Sequence, residues 1–447
     1  MTAPRLAWRP TAHHRRLATV ALLASLAALL FGRAGLLALA APLLAALAAG
    51  QRGGRPATVE VTDRVDPGRC LEGETVQVTA GVQAGTPLGR IELTLRPSTT
   101  LDLLPTATPT NEAFTQPAAE PTARPATGGA AATQVGRGEH AEARYPVRAI
   151  RWGRWSSGVL AIRLRTEGGL AEARVDVPLG ELRVYPAAAT LGRLVVPAAL
   201  PDQIGQHVGR AAGSGVEFAA VRPYVPGDPP RRVNWPASLR RGRLHVTDRA
   251  AERSAPVVVA IDAFSDVGPF GRTTLDRAVR GAAGAIQAYL RVGDRVGFVV
   301  LGGVLSWQAP DIGGRQLYRL VEAVLAVRPN TSMVDPDVDR VPPVALPAGA
   351  LVVLFSPLLD ERAVGTVRDL RERGRPVLVV DVLTEQPPTR PGDRTEALAV
   401  RLWRLDRAAT RFRLAGMGVP VVDWDGTAPL DQAVAGLTRR PLAVHRP

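Results

Sequence analysis

The chain has 447 residues, 46% of them hydrophobic, and a formal net charge of +14. That length exceeds one ordinary core, so two soluble domains plus further segments are expected, and the apolar share excludes global disorder. A single cysteine, Cys70, excludes an intramolecular disulfide and any CxxC metal or redox pair, which fits a reducing compartment.

No lysine occurs, so every basic side chain other than histidine is arginine. This removes P-loop and Schiff-base chemistry from the chain itself. The histidines form no HExxH pair, and no GxSxG elbow is present. A GxGxxA match at Gly136, Gly138 and Ala141 lies in low-complexity sequence and is read as chance. Aromatics do not interleave with arginines as in a stacking platform, so no nucleic-acid partner is expected. No catalytic residue is assigned, and the chain is expected not to be an enzyme.

Residues 1–16 read as a basic N-terminal tail. Two apolar runs follow, Leu17 to Phe31 and Ala34 to Gly50, broken at Gly32 and Arg33. Small residues dominate both, so a tight transmembrane helical hairpin over 17–50 is expected, with Pro42 kinking its second helix. A cleaved signal peptide is the competing reading, but the apolar stretch outruns a normal h-region. Arg5, Arg9, Arg15 and Arg16 precede the first span, Arg33 lies between the spans, and Arg52 and Arg55 follow the second. The positive-inside rule then places both ends, and the soluble bulk, in the cytoplasm at the plasma (inner) membrane.

From Val59 the apolar period becomes two, through Val61, Val76, Val78, Ile91, Leu93 and Leu95. A second set of short strands runs from Val159 to Tyr185. Together they predict a β-sandwich-like domain over 56–186. Residues 96–138, rich in Pro, Thr, Ala and Gly, read as a flexible insert within it. A linker and signature segment over 187–254 follows. Its core, Gly213 to Arg243, sets Glu217 and Asp228 among Arg222, Arg231, Arg232, Arg240 and Arg241, with Tyr224 and Trp235 as flat faces. The expectation is a structural strut pinned by arginine–carboxylate pairs at Asp228 and a buried Trp235; the alternative is a docking surface.

At 255–447 continuous apolar strands alternate with helical patterns. Val257 to Asp262 is the first strand, and others are expected at 296–301, 351–355, 377–380 and 419–422. Helices are expected from Leu275 to Leu290 and at 317–327, 364–373 and 398–412. This predicts a doubly wound α/β sheet.

The signature resembles that of the bacterial domain-of-unknown-function 58 family. The matching residues are Gly213-Ser214-Gly215-Val216-Glu217-Phe218, then Arg222, Tyr224, Pro226, Gly227 and Asp228. Arg232, Asn234, Trp235, Ser238, Arg240 and Glu252-Arg253 follow. Pro236 departs from the pattern, standing where the family commonly has lysine. Arg151 to Trp155 and the Val184-Tyr185-Pro186 strand end are also similar to family members. The resemblance implies a von Willebrand factor A-like C-terminal domain and a MoxR-type AAA+ ATPase as candidate partner; the leading expectation is a membrane-anchored, non-catalytic scaffold. The resemblance also implies a degenerate metal site at the strand ends. There Asp262 matches the first aspartate, while Phe264 and Asp266 replace serines. Thr331 or Ser332 could serve the second loop, with Ser356 and Asp360 on the third. Oxygen ligands on three loops suit magnesium. Alternatives in other classes are metal-dependent ligand binding or hydrolysis using Asp262, Asp266 and Asp360, and an envelope adhesion protein. For Asp262 the plainer reading is a strand-end carboxylate that caps the following turn or pairs with an arginine.

Overall fold

A computed structural model describes residues 3–32, 35–51, 54–105, 132–190, 212–225, 228, 230, 233–250, 256–302, 306–329 and 341–438. The chain divides into two units, Met1–Tyr185 and Pro186–Pro447.

The first unit opens with β1 (Arg9–Pro10), α1 (Ala12–Phe31) and α2 (Gly35–Gln51). The Thr11 hydroxyl caps α1 by accepting from the His14 amide at 3.2 Å. Helix α1 is long and apolar enough to cross a membrane, whereas the apolar part of the second helix, Leu37–Gly50, is shorter. The two expected spans are therefore one span-length helix and a shorter partner. Ala21 of α1 and Leu47 of α2 are buried together against Leu170.

The basic N-terminal tail is tied to the β unit. Leu6 and Trp8 pack against the β core, and β1 pairs antiparallel with β9 (Ala171–Pro178). The Leu6 amide donates to Ala57 O at 2.8 Å, and Trp8 Nε1 donates to Pro56 O at 2.9 Å. Residues before α1 and after α2 are thus fixed to one another and to the same sheet. That geometry requires the helices to run out and back as a hairpin.

The remaining strands are β2 (Glu60–Asp66), β3 (Arg69–Leu71), β4 (Thr75–Arg96), β5 (Leu101–Leu103), β6 (Ala132–Ala149), β7 (Gly153–Ser156), β8 (Val159–Arg165) and β10 (Glu181–Tyr185). Seven strands form one sheet, β1-β9-β8-β4-β6-β5, with β2 also on β4; β3-β10-β7 form a second. The alternating residues Val61, Val78, Ile91, Leu93 and Leu95 share one core with Cys70, Leu182 and Val184 of the smaller sheet. Each such fully buried aliphatic side chain contributes roughly 1.5–3 kcal/mol of transfer free energy. Strand β4 is longer than the separate short strands expected. Its first half pairs with β2 and its second half with β8, across a register shift against β6 between Gln83 and Ile91.

The insert is narrower than 96–138. Thr100 and Leu101 are buried, β5 adds to the sheet edge, and 132–138 already pairs with β4. Only 106–131 of that stretch lies outside the described residues.

The second unit begins with β11 (Ala212–Pro223), α3 (Trp235–Arg241) and β12 (His245–Ala250). The segment expected as an irregular strut is a hairpin: β11 and β12 pair antiparallel, with shifts around Phe218. The α/β part follows as β13 (Val257–Asp262), α4 (Thr274–Arg291), β14 (Val296–Leu301), β15 (Ser306–Asp311), α5 (Gly313–Leu325) and β16 (Leu351–Ser356). It ends with α6 (Glu361–Glu372), β17 (Val377–Asp381), α7 (Arg394–Gly416), β18 (Val421–Asp423) and α8 (Leu430–Thr438). The sheet order is β15-β14-β13-β16-β17-β18, parallel except for β15 at one edge. Helix α4 starts in a capping box between Thr273 and Asp276. Gly281 lets α4 approach the sheet, because a Cβ there would collide with the Phe355 and Trp424 rings. The chain order reverses at β13, so the crevice between the carboxyl ends of β13 and β16 is where such a sheet places a ligand site.

Candidate functional site

Asp262 ends β13 with its side chain buried. Oδ1 accepts the Phe264 amide at 3.0 Å and Oδ2 accepts the Ser356 hydroxyl at 2.6 Å. Ser356 Oγ in turn accepts the Leu358 amide at 2.9 Å. Leu358 has φ +52, the only positive value at a non-glycine residue among those described. Burial pushes the Asp262 carboxyl up to about 6, against the opposing hydrogen bonds from Ser356 and the Phe264 amide. Asp262 therefore caps the turn after its strand, as the plainer reading has it.

The neighbouring carboxylates are engaged as well. Asp360 caps α6 through the Arg362 amide and binds the Arg362 guanidinium at 2.9 and 2.7 Å. That pair holds the Asp360 carboxyl below its usual range. The same guanidinium lies over the Phe264 ring, 4.2 Å from its centroid. Asp266 Oδ1 accepts the Leu275 amide at 3.2 Å. Thr331 and Ser332 lie outside the described residues.

These groups do not fit a magnesium cage. Such a cage needs about six oxygens converging on one point. Here a phenyl ring stands where a hydroxyl is required, both Asp262 oxygens are already hydrogen-bonded, and an arginine covers the ring. Among the described residues no group of three His, Cys, Asp or Glu side chains is arranged to hold a metal.

Sequence reasoning missed the arginines that close this end of the sheet. Arg362 crosses to Phe264. Arg277 on α4 donates to Val382 O at 2.6 Å and pairs with Glu385. Arg407 and Arg411 on α7 both engage the buried Asp381 of β17. With no lysine in the chain, arginine is the residue type to look for near a strand-end aspartate, but its partner cannot be read from sequence spacing.

The signature hairpin brings a second group together. Arg222 donates to Asp228 through two nitrogens, at 2.7 and 2.8 Å, and the Val225 amide adds a third bond at 2.9 Å. An arginine–carboxylate pair is present as expected, but it is local to the turn between β11 and α3, and both side chains are partly exposed. Asn234 caps α3 by accepting the Ala237 amide at 3.0 Å and donates to Thr247 Oγ1 of β12 at 3.0 Å. Ser238 is buried, donating to Asn234 O at 2.7 Å and accepting the His245 amide at 2.8 Å.

The expected burial of Trp235 is corrected. It is 62% exposed, and Leu239, one turn on, is 82% exposed. A seven-residue helix held by polar bonds on one face leaves its opposite face to solvent. Arg240, Arg241 and Arg243 are exposed beside it, and Tyr224 is partly buried. Gly215, Glu217 and Phe218 lie in β11. Pro226, Gly227, Arg231, Arg232, Glu252 and Arg253 lie outside the described residues.

The fold and these sites define a mixed α/β multidomain chain with an apolar helical hairpin, a two-sheet β unit and a doubly wound sheet carrying a signature hairpin. Residues 220–393 match the family described as "Protein of unknown function DUF58". The chain is 30% identical over 128 residues to Uncharacterized protein Rv1480 of Mycobacterium tuberculosis, covering 28% of this chain and 40% of that protein. The same identity and coverage hold for Uncharacterized protein Mb1516 of Mycobacterium bovis. The matched stretch thus spans about two fifths of the length of these curated relatives.

Proposed function

We propose that this chain is a membrane-anchored, non-catalytic interaction protein that presents the face of α3 to a partner. The observation that carries the reading is the exposed Trp235–Leu239 pair. It is apolar, one helical turn apart, flanked by arginines, and mounted on a hairpin whose polar groups are bonded inward. An aromatic anchor in an arginine rim is the composition of an interface centre, and the arginines suit an acidic partner surface.

The strand-end crevice supports a structural role. Its buried carboxylates are bonded to Ser356 and to arginines, and no oriented nucleophile or base stands among the described residues there. The sheet order, with one antiparallel edge strand, is compatible with a von Willebrand factor A-type domain. The anchor reading draws on exposed Leu22, Leu23, Leu29, Leu30 and Phe31 on α1 and Leu39 and Leu44 on α2. The arginine asymmetry favours a cytoplasmic position for the soluble units at the plasma membrane. The partner class, a MoxR-type AAA+ ATPase, rests on the family resemblance. No P-loop lysine exists in this chain, so a motor activity has to come from another protein. The test is mild crosslinking of the full chain in native membranes followed by identification of specific partners. An AAA+ ATPase among them supports the reading, and its absence counts against it.

A further inference from the structure

Helix α7 packs inward along one face and carries an apolar stripe along the other. The inward stripe is Trp403, Thr410 and Leu414, together with Arg407 and Arg411, which reach the buried Asp381. The outward stripe is Leu398, Leu402, Leu405, Ala409 and Phe412. Its four large members are 57%, 59%, 60% and 80% exposed. The spacing of four, three, four and three residues keeps them on one line of the helix, running about 21 Å at 1.5 Å per residue. The stripe lies directly opposite the packed one, so no residue of the sheet covers it.

The borders of the stripe are cationic. Arg394, Arg401, Arg404 and Arg413 are exposed along it, against the exposed Asp406 and the partly buried Glu396. Arg404 is held toward Gln386 and Arg413 toward Thr410 and Glu361, so part of this charge has local contacts while staying at the surface. Leucines and a phenylalanine edged by arginines on a regular helix match the chemistry of an interfacial helix on anionic lipid. A second copy fits less well. Two heptads fall short of the three or four that mark a stable coiled coil, and the arginine borders of two copies would repel.

We propose that the outer face of α7 docks on an anionic lipid surface, holding the doubly wound domain against the membrane in which the N-terminal hairpin is anchored. The proposal rests on the anchor reading. A tethered domain needs only a weak second contact, because the anchor raises its local concentration at the bilayer. The family match ends at residue 393 and α7 starts at Arg394, so this contact is separate from the signature hairpin.

The test uses the full chain reconstituted into vesicles of phosphatidylcholine alone or with roughly one-third phosphatidylglycerol, which sets the surface potential. A bimane is attached at Leu402→Cys or, as a control, at Tyr318→Cys on the exposed face of α5. Cys70 does not compete, being buried with its thiol pushed up to about 11. Lipid-borne quenchers should quench the Leu402→Cys probe in anionic vesicles and leave the Tyr318→Cys probe bright. That quenching should be lost in phosphatidylcholine alone, in high salt, and in the Arg401→Glu, Arg404→Glu double variant. A Leu402→Cys probe that stays unquenched in anionic vesicles, while the chain floats with them, overturns the docking and leaves the anchor standing. Shielding that is independent of lipid charge, with excimers between pyrene-labelled copies, overturns it in favour of a second copy. A chain that fails to float at all overturns both readings.

Discussion

Ser356 donates its hydroxyl to Asp262 Oδ2 at 2.6 Å, joining the carboxyl ends of β16 and β13 across the point where the sheet order reverses. Where a doubly wound sheet usually opens a ligand crevice, this one is tied shut by a buried carboxylate, a hydroxyl and a strained turn at Leu358.

The pH dependence of stability follows from that tie. The Asp262 carboxyl rises from 3.8 to about 6 in the folded chain. Its contribution is fully present below the unfolded value and is lost as pH rises through about 6, a change of about 3 kcal/mol. Wild-type stability should therefore fall between about pH 4 and pH 7, and Asp262→Asn should remove most of that slope. Denaturant melts across this range check it. An equal slope in both proteins would show that Asp262 is not the titrating group.

Within the signature hairpin, Asp228→Ala should cost about 1–3 kcal/mol, because it leaves Arg222 and the Val225 amide without their carboxylate. Trp235→Ala should stay within roughly 0.5 kcal/mol, as expected of an exposed side chain. Thermal melts of the two variants should separate. A large loss at Trp235 would mean the ring is packed.

Replacing 106–131 with a short Gly/Ser linker should leave the β unit folded, since loop closure cost grows only logarithmically with length. Extending the replacement back to Thr99 removes buried Thr100 and Leu101 and the edge strand β5. That version should lose about 2–5 kcal/mol, the cost of a buried aliphatic truncation. Matching melting temperatures for the two versions would contradict the strand assignment.

How far the sequence disclosed this depended on the kind of signal. Continuous valine-rich runs such as Val257 to Asp262 and Val296 to Leu301 mark buried strands, and the structure keeps those bounds. The edge strand β15 was not legible. Ser306 to Asp311 is half exposed and contains Pro310, so it shows no apolar run. The insert is narrower than its composition suggests, because 132–138 bonds to β4 through its backbone and Leu101–Leu103 pairs with β6. The packing of the tail was not legible, because two apolar residues, Leu6 and Trp8, give no period. At the candidate site Asp262 was legible as a strand-end carboxylate. Arg362 was not, because a stacked guanidinium depends on a tertiary approach to Phe264.

Membrane orientation can be read without Cys70, whose burial makes it a poor reporter. Glu181→Cys on β10 is about half exposed and belongs to the same unit as the hairpin. With the soluble units in the cytoplasm, an impermeant thiol reagent should label it only after lysis. Labelling in intact spheroplasts would place the β unit outside.

The central claim, that the α3 face is a partner-docking surface on a membrane-anchored chain, is tested most directly by comparing crosslinked partners of the full-length wild type with those of the Trp235→Ala, Leu239→Ala double variant. The two proteins should melt within a few degrees of each other, consistent with a change of roughly 1 kcal/mol or less. An AAA+ ATPase should be recovered with the wild type and lost with the variant. Equal recovery from both proteins, with folding intact, would contradict the account.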